Sequence, residues 1–586
     1  MSDAPTIGAS APWLETIDAD SPLLLIAPHG GQAGQAARAM LHPKVNDLYT
    51  ADITRELAQR LGASALINSA MDRNLIDCNR IPQLAERAPW MLEIIAQRLA
   101  AIIDRYGRAT VLLIHGWNII EPRIDFGLGL RTQGGELRPP GSAQVSASDE
   151  FINGPLANLA TRLGAAGIKP TFGMRYPAGG VHNLVQAFTG RHRASEIPAL
   201  GRISAIAAQG LVNTAQLELS VSVRLPGVIR ERCVEAISAS FSGEEPAGPV
   251  SPSQFSIVRT PRTLSRPTSV APLRVGLEFY DPSSRIGAMA SFDLGSPGFG
   301  ARIMMLVGER RVVLCTCEGH VRREANKLSL GPLSLSIDGG NLALNFAGPA
   351  VVVPDGSTYL SIERALATGH LDADARISLL MPIASSGFEP AVLFGDTATV
   401  SAQPGSTSFF SVASGHATIE NATLPLRASA RAGVSFTGLG PQSFRQRRMI
   451  WALFDDDLAD PRAIEVRRVE DDGGPSHQSA RAFSGETWSA LKLDRLEIEY
   501  SAVDVSPHRL EATANAPGGA ALGLIGNANA FVPLSRPGPD GSRIYTSMGF
   551  GTFRSGERSA SGMFEYSRRV DAATADDATE GGPGID

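Results

Sequence analysis

Ser21-Pro22-Leu23-Leu24-Leu25-Ile26-Ala27-Pro28-His29-Gly30-Gly31 is the segment that decides the first fold of this chain. Five consecutive apolar residues without a polar side read as a short strand covered on both faces, the pattern of a parallel sheet. The strand runs straight into His29 and two glycines, leaving an imidazole at its carboxyl end with no bulky neighbour. In open α/β sheets that is where ligands collect. The pattern returns in Thr110-Val111-Leu112-Leu113-Ile114-His115-Gly116, and Ala215-Gln216-Leu217-Glu218-Leu219-Ser220 places a lone glutamate inside a third apolar run. Between them lies Arg73-Asn74-Leu75-Ile76-Asp77-Cys78-Asn79-Arg80.

Strand-like runs at 23–27, 65–68, 111–114, 169–174 and 216–221 alternate with helix-like segments. Over 89–106, for example, Ile94, Ile95, Leu99, Ile102 and Ile103 recur at helical spacing. The alternation predicts an α/β doubly wound, mixed but largely parallel sheet over residues 1–244. Residues 245–270 are rich in Ser and Pro and read as a linker. Beyond them the period becomes two: Leu333-Ser334-Leu335-Ser336-Ile337 and Leu342-Ala343-Leu344-Asn345-Phe346 flank Asp338-Gly339-Gly340, a hairpin signature. Residues 271–570 are therefore expected to be all-β, and the acidic, Ala- and Gly-rich 571–586 a disordered tail.

A chain of 586 residues with 43% hydrophobic content can build several cores. A net charge of −6, from 53 basic and 59 acidic residues, gives no footprint for nucleic acid or an acidic membrane surface. The start lacks a basic-then-apolar leader and no stretch has the length of a membrane span, so a soluble, cytoplasmic protein is expected. The four cysteines are too few for a disulfide framework and lack zinc-finger spacing.

The N-terminal residues suit metal-assisted hydrolysis. A catalytic zinc takes about three protein ligands and leaves one position for water. A separate carboxylate moves protons, and a cation stabilises an oxyanion or grips a substrate carboxylate. His29 and His115 can be ligands, Glu218 the base and Arg80 the fork, with Arg73, Asn79, His182 and His192 as substrate-side residues. The bland alternatives are a structural bridge from Arg80 to Asp77 or Asp72, and a solvent-facing Glu218. A sheet covered on both faces disfavours the latter.

The ordered set Pro28-His29-Gly30-Gly31, Asp52-Ile53-Thr54-Arg55-Glu56-Leu57, residues 73–80, Ile114-His115-Gly116 and Gln216-Leu217-Glu218-Leu219 resembles the N-formylglutamate amidohydrolase family over residues 20–240. That family is similar in fold to the zinc carboxypeptidases. The resemblance implies zinc held by His29 and His115, a substrate carboxylate gripped by Asn79 and Arg80, and Glu218 as catalytic base. Where the carboxypeptidases carry a glutamate three residues after the first histidine, this chain has Gln32. The third ligand stays open among Gln32, Asp52 and Glu56. Residues 270–570 resemble the paired lipocalin-like barrels of the carotenoid hydratase and AttH type, in Arg274-Val275-Gly276-Leu277-Glu278-Phe279-Tyr280-Asp281, Trp451-Ala452-Leu453-Phe454-Asp455-Asp456 and Gly562-Met563-Phe564-Glu565-Tyr566. The expected function is a zinc-dependent amidohydrolase of the deformylase or deacylase type, hydrolysing a C–N bond in a small-molecule amide that carries a carboxylate. The alternative is a degenerate hydrolase that binds a small hydrophobic ligand in its barrels.

Overall fold

The computed structural model describes residues 12–33, 44–129, 131–133, 136–138, 146–242, 273–294, 299–383, 391–394, 407–436, 444–454, 462–471, 477–484, 487–500, 507–517, 521–537 and 542–570. The expected linker and tail lie outside the described residues. The chain divides into two compact units, one of residues 1–118 and 122–266, the other of Ile119–Glu121 and residues 267–586.

The first unit is built on strands β1 (Leu14–Ile17), β2 (Leu23–Ala27), β3 (Ser64–Asn68), β4 (Ala109–Gly116), β5 (Arg123–Gly127), a small ribbon of β6 (Arg131–Gln133) and β7 (Glu136–Arg138), β8 (Lys169–Phe172) and β9 (Val212–Leu219). Seven of these form a mixed sheet in the order β1-β3-β2-β4-β9-β5-β8. β2 lies parallel to β3 and β4, and β4 parallel to β9, whereas β5 runs antiparallel to β9. Strand periodicity divides the apolar residues between two cores. Leu25, Ala27, Leu112, Ile114, Leu217 and Leu219 enter one, while Leu24, Ile26, Val111 and Leu113 enter the other. Both faces are therefore covered, and the strands have to be apolar throughout. The helix Pro89–Tyr106 spans the segment its periodicity predicts; Pro89 sits in its first turn and Gly107 ends it at φ 72°.

The second unit is antiparallel. Its strands are β10 (Leu273–Asp281), β11 (Ile286–Leu294), β12 (Phe299–Val307), β13 (Arg311–Glu318), β14 (Arg322–Glu324), β15 (Lys327–Leu330), β16 (Leu333–Asp338), β17 (Asn341–Val353), β18 (His370–Pro382), β19 (Thr407–Ile419), β20 (Ala422–Phe436), β21 (Phe444–Phe454), β22 (Arg462–Asp471), β23 (His477–Ser484), β24 (Thr487–Tyr500), β25 (Pro507–Asn515), β26 (Ala521–Pro537), β27 (Arg543–Ser555) and β28 (Arg558–Val570). The run β13-β12-β11-β10-β20-β19-β18-β17 closes on itself because Val312, Val313 and Leu314 of β13 pair with Val353, Val352 and Val351 of β17. This is one eight-strand barrel, with β16, β15 and β14 extending from its edge. Strands β21 to β28 close a second. The expected hairpin is β16 to β17, turning on Gly339 and Gly340 with φ of 53° and 80°.

A half-buried ionic cluster joins the two barrels. Arg431 of β20 reaches Glu278 of β10 at 3.0 Å and Glu465 of β22 at 3.3 Å. Arg481 reaches Glu465 at 3.0 Å, and the Trp451 indole donates to Glu278 at 2.8 Å. The Tyr280 and Phe550 rings stack with centroids 5.4 Å apart. All four cysteines are buried free thiols, and burial pushes Cys78 and Cys233 up to about 12.

Candidate functional site

Polar side chains of the first unit converge at the carboxyl ends of β2, β4 and β9. His29 follows β2 and is 1% exposed; its Nε2 meets Asp77 Oδ1 at 2.8 Å and its Nδ1 meets Asp47 Oδ2 at 3.2 Å. His115, at the end of β4, brings Nδ1 to 3.3 Å from the same Asp47 oxygen. The two imidazoles meet edge to face, centroids 4.8 Å apart. Asp47 also accepts from the Gly116 amide at 2.9 Å and from Arg73 at 3.2 Å. Lys44 reaches Asp77 at 2.8 Å.

The glycines are required by this crowding. A Cβ on Gly31 would stand 2.0 Å from the Met71 carbonyl oxygen, and one on Gly30 2.6 Å from that of Asn68. Arg224, buried behind β4, would lie 2.7 Å from a Cβ on Gly116 and holds the Leu48 carbonyl at 2.7 Å. The segment carrying Asp47 is thereby fixed beneath the histidines.

Electrostatics follow from burial. His29, His115 and Arg73 hold the Asp47 carboxyl well below the usual range against its desolvation. Asp77 is held down in the same way by His29 and Arg73. Burial lowers His115 to about 4, although Asp47 opposes the shift. Its Nε2 is buried with no hydrogen-bond partner among the described residues. Glu218 pairs in register with His115 on one side and with Asp125 on the other, so the three side chains share a face of the sheet. Burial, with the charges of Asp47 and Asp125, pushes Glu218 well above the ordinary carboxylate range. Gln216 donates to it at 2.6 Å and accepts from Asn183 at 3.2 Å.

The other expected residues are distributed unevenly. Arg73 is at the centre, bound to Asp47 and to the Val45 carbonyl at 3.0 Å. Arg80 has a side chain 45% exposed, with Nε 3.9 Å from Asp77. Asn79 is buried; its side-chain oxygen accepts from the Leu184 amide at 3.3 Å. His182 is exposed, while His192 is half-buried and bonds the Val181 carbonyl at 3.2 Å. Gln32 is exposed. Asp52 pairs with Arg55, and Glu56 with Arg60 and Arg230. The carboxylate grouped with the two histidines is instead Asp47: one ligand atom from each of His29, Asp47 and His115 lies within 4.8 Å of the others. Sequence reasoning passed over Asp47 because it sits in an aperiodic loop. The available signal was Asn46-Asp47 placed just before a helix.

No family model and no curated protein matches this chain. Among solved structures, it is similar to a Nitrosomonas europaea protein given the name AttH, with 10% identity and a TM-score of 0.32, over 51% of this chain and 91% of that one. It is also similar to kievitone hydratase from Nectria haematococca, with 8% identity and a TM-score of 0.30, over 51% and 89%. These findings correct the expectation of a zinc-dependent amidohydrolase. No N-formylglutamate amidohydrolase model matches this chain. Likenesses this remote say nothing about activity. Among the described residues, no helix is long and apolar enough to cross a membrane.

Proposed function

We propose that this chain binds a small hydrophobic ligand inside its second barrel. The supporting observation is the inward wall. Ile450, Ala452, Val466, Ala480, Leu493, Leu510, Ala512, Leu524, Phe553, Ala560 and Phe564 come from all eight strands and form one cluster, so they point at the barrel axis. An eight-strand barrel is wide enough to be filled by side chains or to hold one small ligand. Here the wall is rich in alanine, and Gly549, Gly551 and Gly562 stand in register with the inward residues. Leu491, Ile498, Leu522 and Phe531 pack on the same cluster yet stay partly open to solvent. Titration with the uncharged probe N-phenyl-1-naphthylamine should show one saturable site, and Ala512→Phe should abolish it. Binding that is absent, or unaffected by Ala512→Phe, overturns the reading.

A second reading concerns the first unit, where the His115 Nε2, without a partner among the described residues, and the two-imidazole, one-carboxylate donor set fit zinc. His29, Asp47 and His115 would hold it, with Asp77 orienting the His29 ring from behind. Likeness of this unit to the zinc carboxypeptidase fold belongs to the same reading. A bound divalent ion would supply positive charge beside two buried carboxylates. Metal analysis of purified protein should return stoichiometric zinc that Asp47→Asn removes; zinc retained by Asp47→Asn would shift the third ligand elsewhere.

A further inference from the structure

The inward face of the second barrel changes character towards one end. Arg448 lies two residues beyond Ile450, Arg468 two beyond Val466, and Tyr566 two beyond Phe564, all on strands whose inner residues belong to the apolar cluster. The register sets them side by side: Arg448 opposes both Arg468 and Tyr566, Arg468 opposes Gln478, and Tyr566 opposes Ser547. Directly opposed residues of antiparallel strands project to the same side, so these five form a polar ring capping the apolar lumen.

The ring has cationic capacity to spare. Arg448 reaches Glu470 at 2.8 Å and Gln446 at 2.7 Å, while Arg468 leans on the same Glu470 carboxylate at 3.1 Å. Two guanidiniums thus share one carboxylate, and the Arg448 and Arg468 side chains remain 21% and 34% exposed. The Arg448 guanidinium stands 5.8 Å from the Tyr566 ring centroid. Independently, Ser547 Oγ, on a residue 8% exposed and facing into this ring, has no hydrogen-bond partner among the described residues. A buried hydroxyl without a partner costs stability unless something supplies one.

We propose that the second barrel takes an amphiphilic carboxylate, its apolar body in the lumen and its carboxylate held by Arg448 and Arg468 with Ser547 Oγ as a further donor. This rests on the barrel-binding reading and adds the charge of the ligand to it. Guanidinium forks match planar carboxylates, and a charge-assisted bond inside a low-dielectric wall selects for the anion.

The test compares 11-(dansylamino)undecanoic acid with its methyl ester, which has the same body and no charge. The parent protein should bind the acid about ten- to a hundredfold more tightly than the ester. The Arg448→Met, Arg468→Met double variant should lose that preference while holding the ester as before, which also reports an intact barrel. Glu470→Gln, which removes the competing carboxylate, should tighten the acid severalfold. Equal affinities in the parent, a preference that survives the double variant, or an acid affinity unmoved by Glu470→Gln would each overturn the charge assignment and leave the barrel reading standing. Failure of both probes to bind would overturn the two together. Should the double variant lose the ester as well, Glu470→Gln alone decides.

Discussion

The two units bury charge in opposite ways. Between the barrels, Arg431 and Arg481 face Glu278 and Glu465, and Ser408 and Trp451 complete the hydrogen bonding. At the strand ends of the first unit, Asp47 gathers two imidazoles, a guanidinium and an amide, the inner nitrogen of His115 has no partner among the described residues, and Glu218 is met by a neutral amide. A cluster that satisfies itself is glue. A cluster that leaves donors and acceptors short is arranged around something else, or around a change of protonation. The difference between the two is one of completeness.

That contrast can be broken. If the inter-barrel cluster is glue, Arg431→Met takes the guanidinium from Glu278 and leaves Glu465 with Arg481 and Ser408, and should cost the second unit about 3 kcal/mol. Hydrogen exchange across β10 and β21 would register it; unchanged protection would remove the distinction. Acid should act selectively on the first unit. His115 has a folded value near 4 against 6.5 for the free side chain, so between those limits the unfolded chain binds more protons. Stability of metal-stripped protein should therefore fall as pH drops from 6.5 to 4, by up to roughly 1.4 kcal/mol per pH unit, and His115→Gln should flatten that slope.

A steric comparison sharpens the point. Gly31→Ala forces a Cβ against the Met71 carbonyl and should cost about 1 to 3 kcal/mol, whereas Gly523→Ala, with no atom of the described residues within 4 Å, should change stability by under about 0.5 kcal/mol. Thermal unfolding of the two variants, run side by side, measures this. Among the charged groups, the smallest effect concerns Glu218. Its raised folded value means the contribution is present below the unfolded value of 4.5 and lost as pH rises through the folded one. Glu218→Gln should stabilise the first unit by about 1 kcal/mol at pH 8 and leave it unchanged at pH 4. A destabilised variant at pH 8 would show that the carboxylate is held as an anion.

Much of this architecture was legible in the sequence. The strands at 23–27, 65–68 and 111–114 stand out because covered faces demand unbroken apolar runs, and the β half because period two is so regular. β5 was missed: Arg123 and Asp125 interrupt its apolar pattern, and their burial is made tolerable by long-range partners such as the Met174, Arg175 and Tyr176 amides on Asp125. Closure of the first barrel rests on three residue pairs between 312–314 and 351–353, which no local pattern announces. The histidines of the site were visible from strand grammar. Asp47 was not, since its placement depends on Arg224 holding the Leu48 carbonyl from 176 residues away.

The second unit owns Ile119–Glu121, three residues that follow β4, and the amides of Ile120 and Glu121 donate to the Thr316 carbonyl at 3.2 and 3.1 Å. During synthesis those amides leave the ribosome long before Thr316 does, and they stay without that acceptor until β13 has been made. A gene cut at codon 244 would strand them for good.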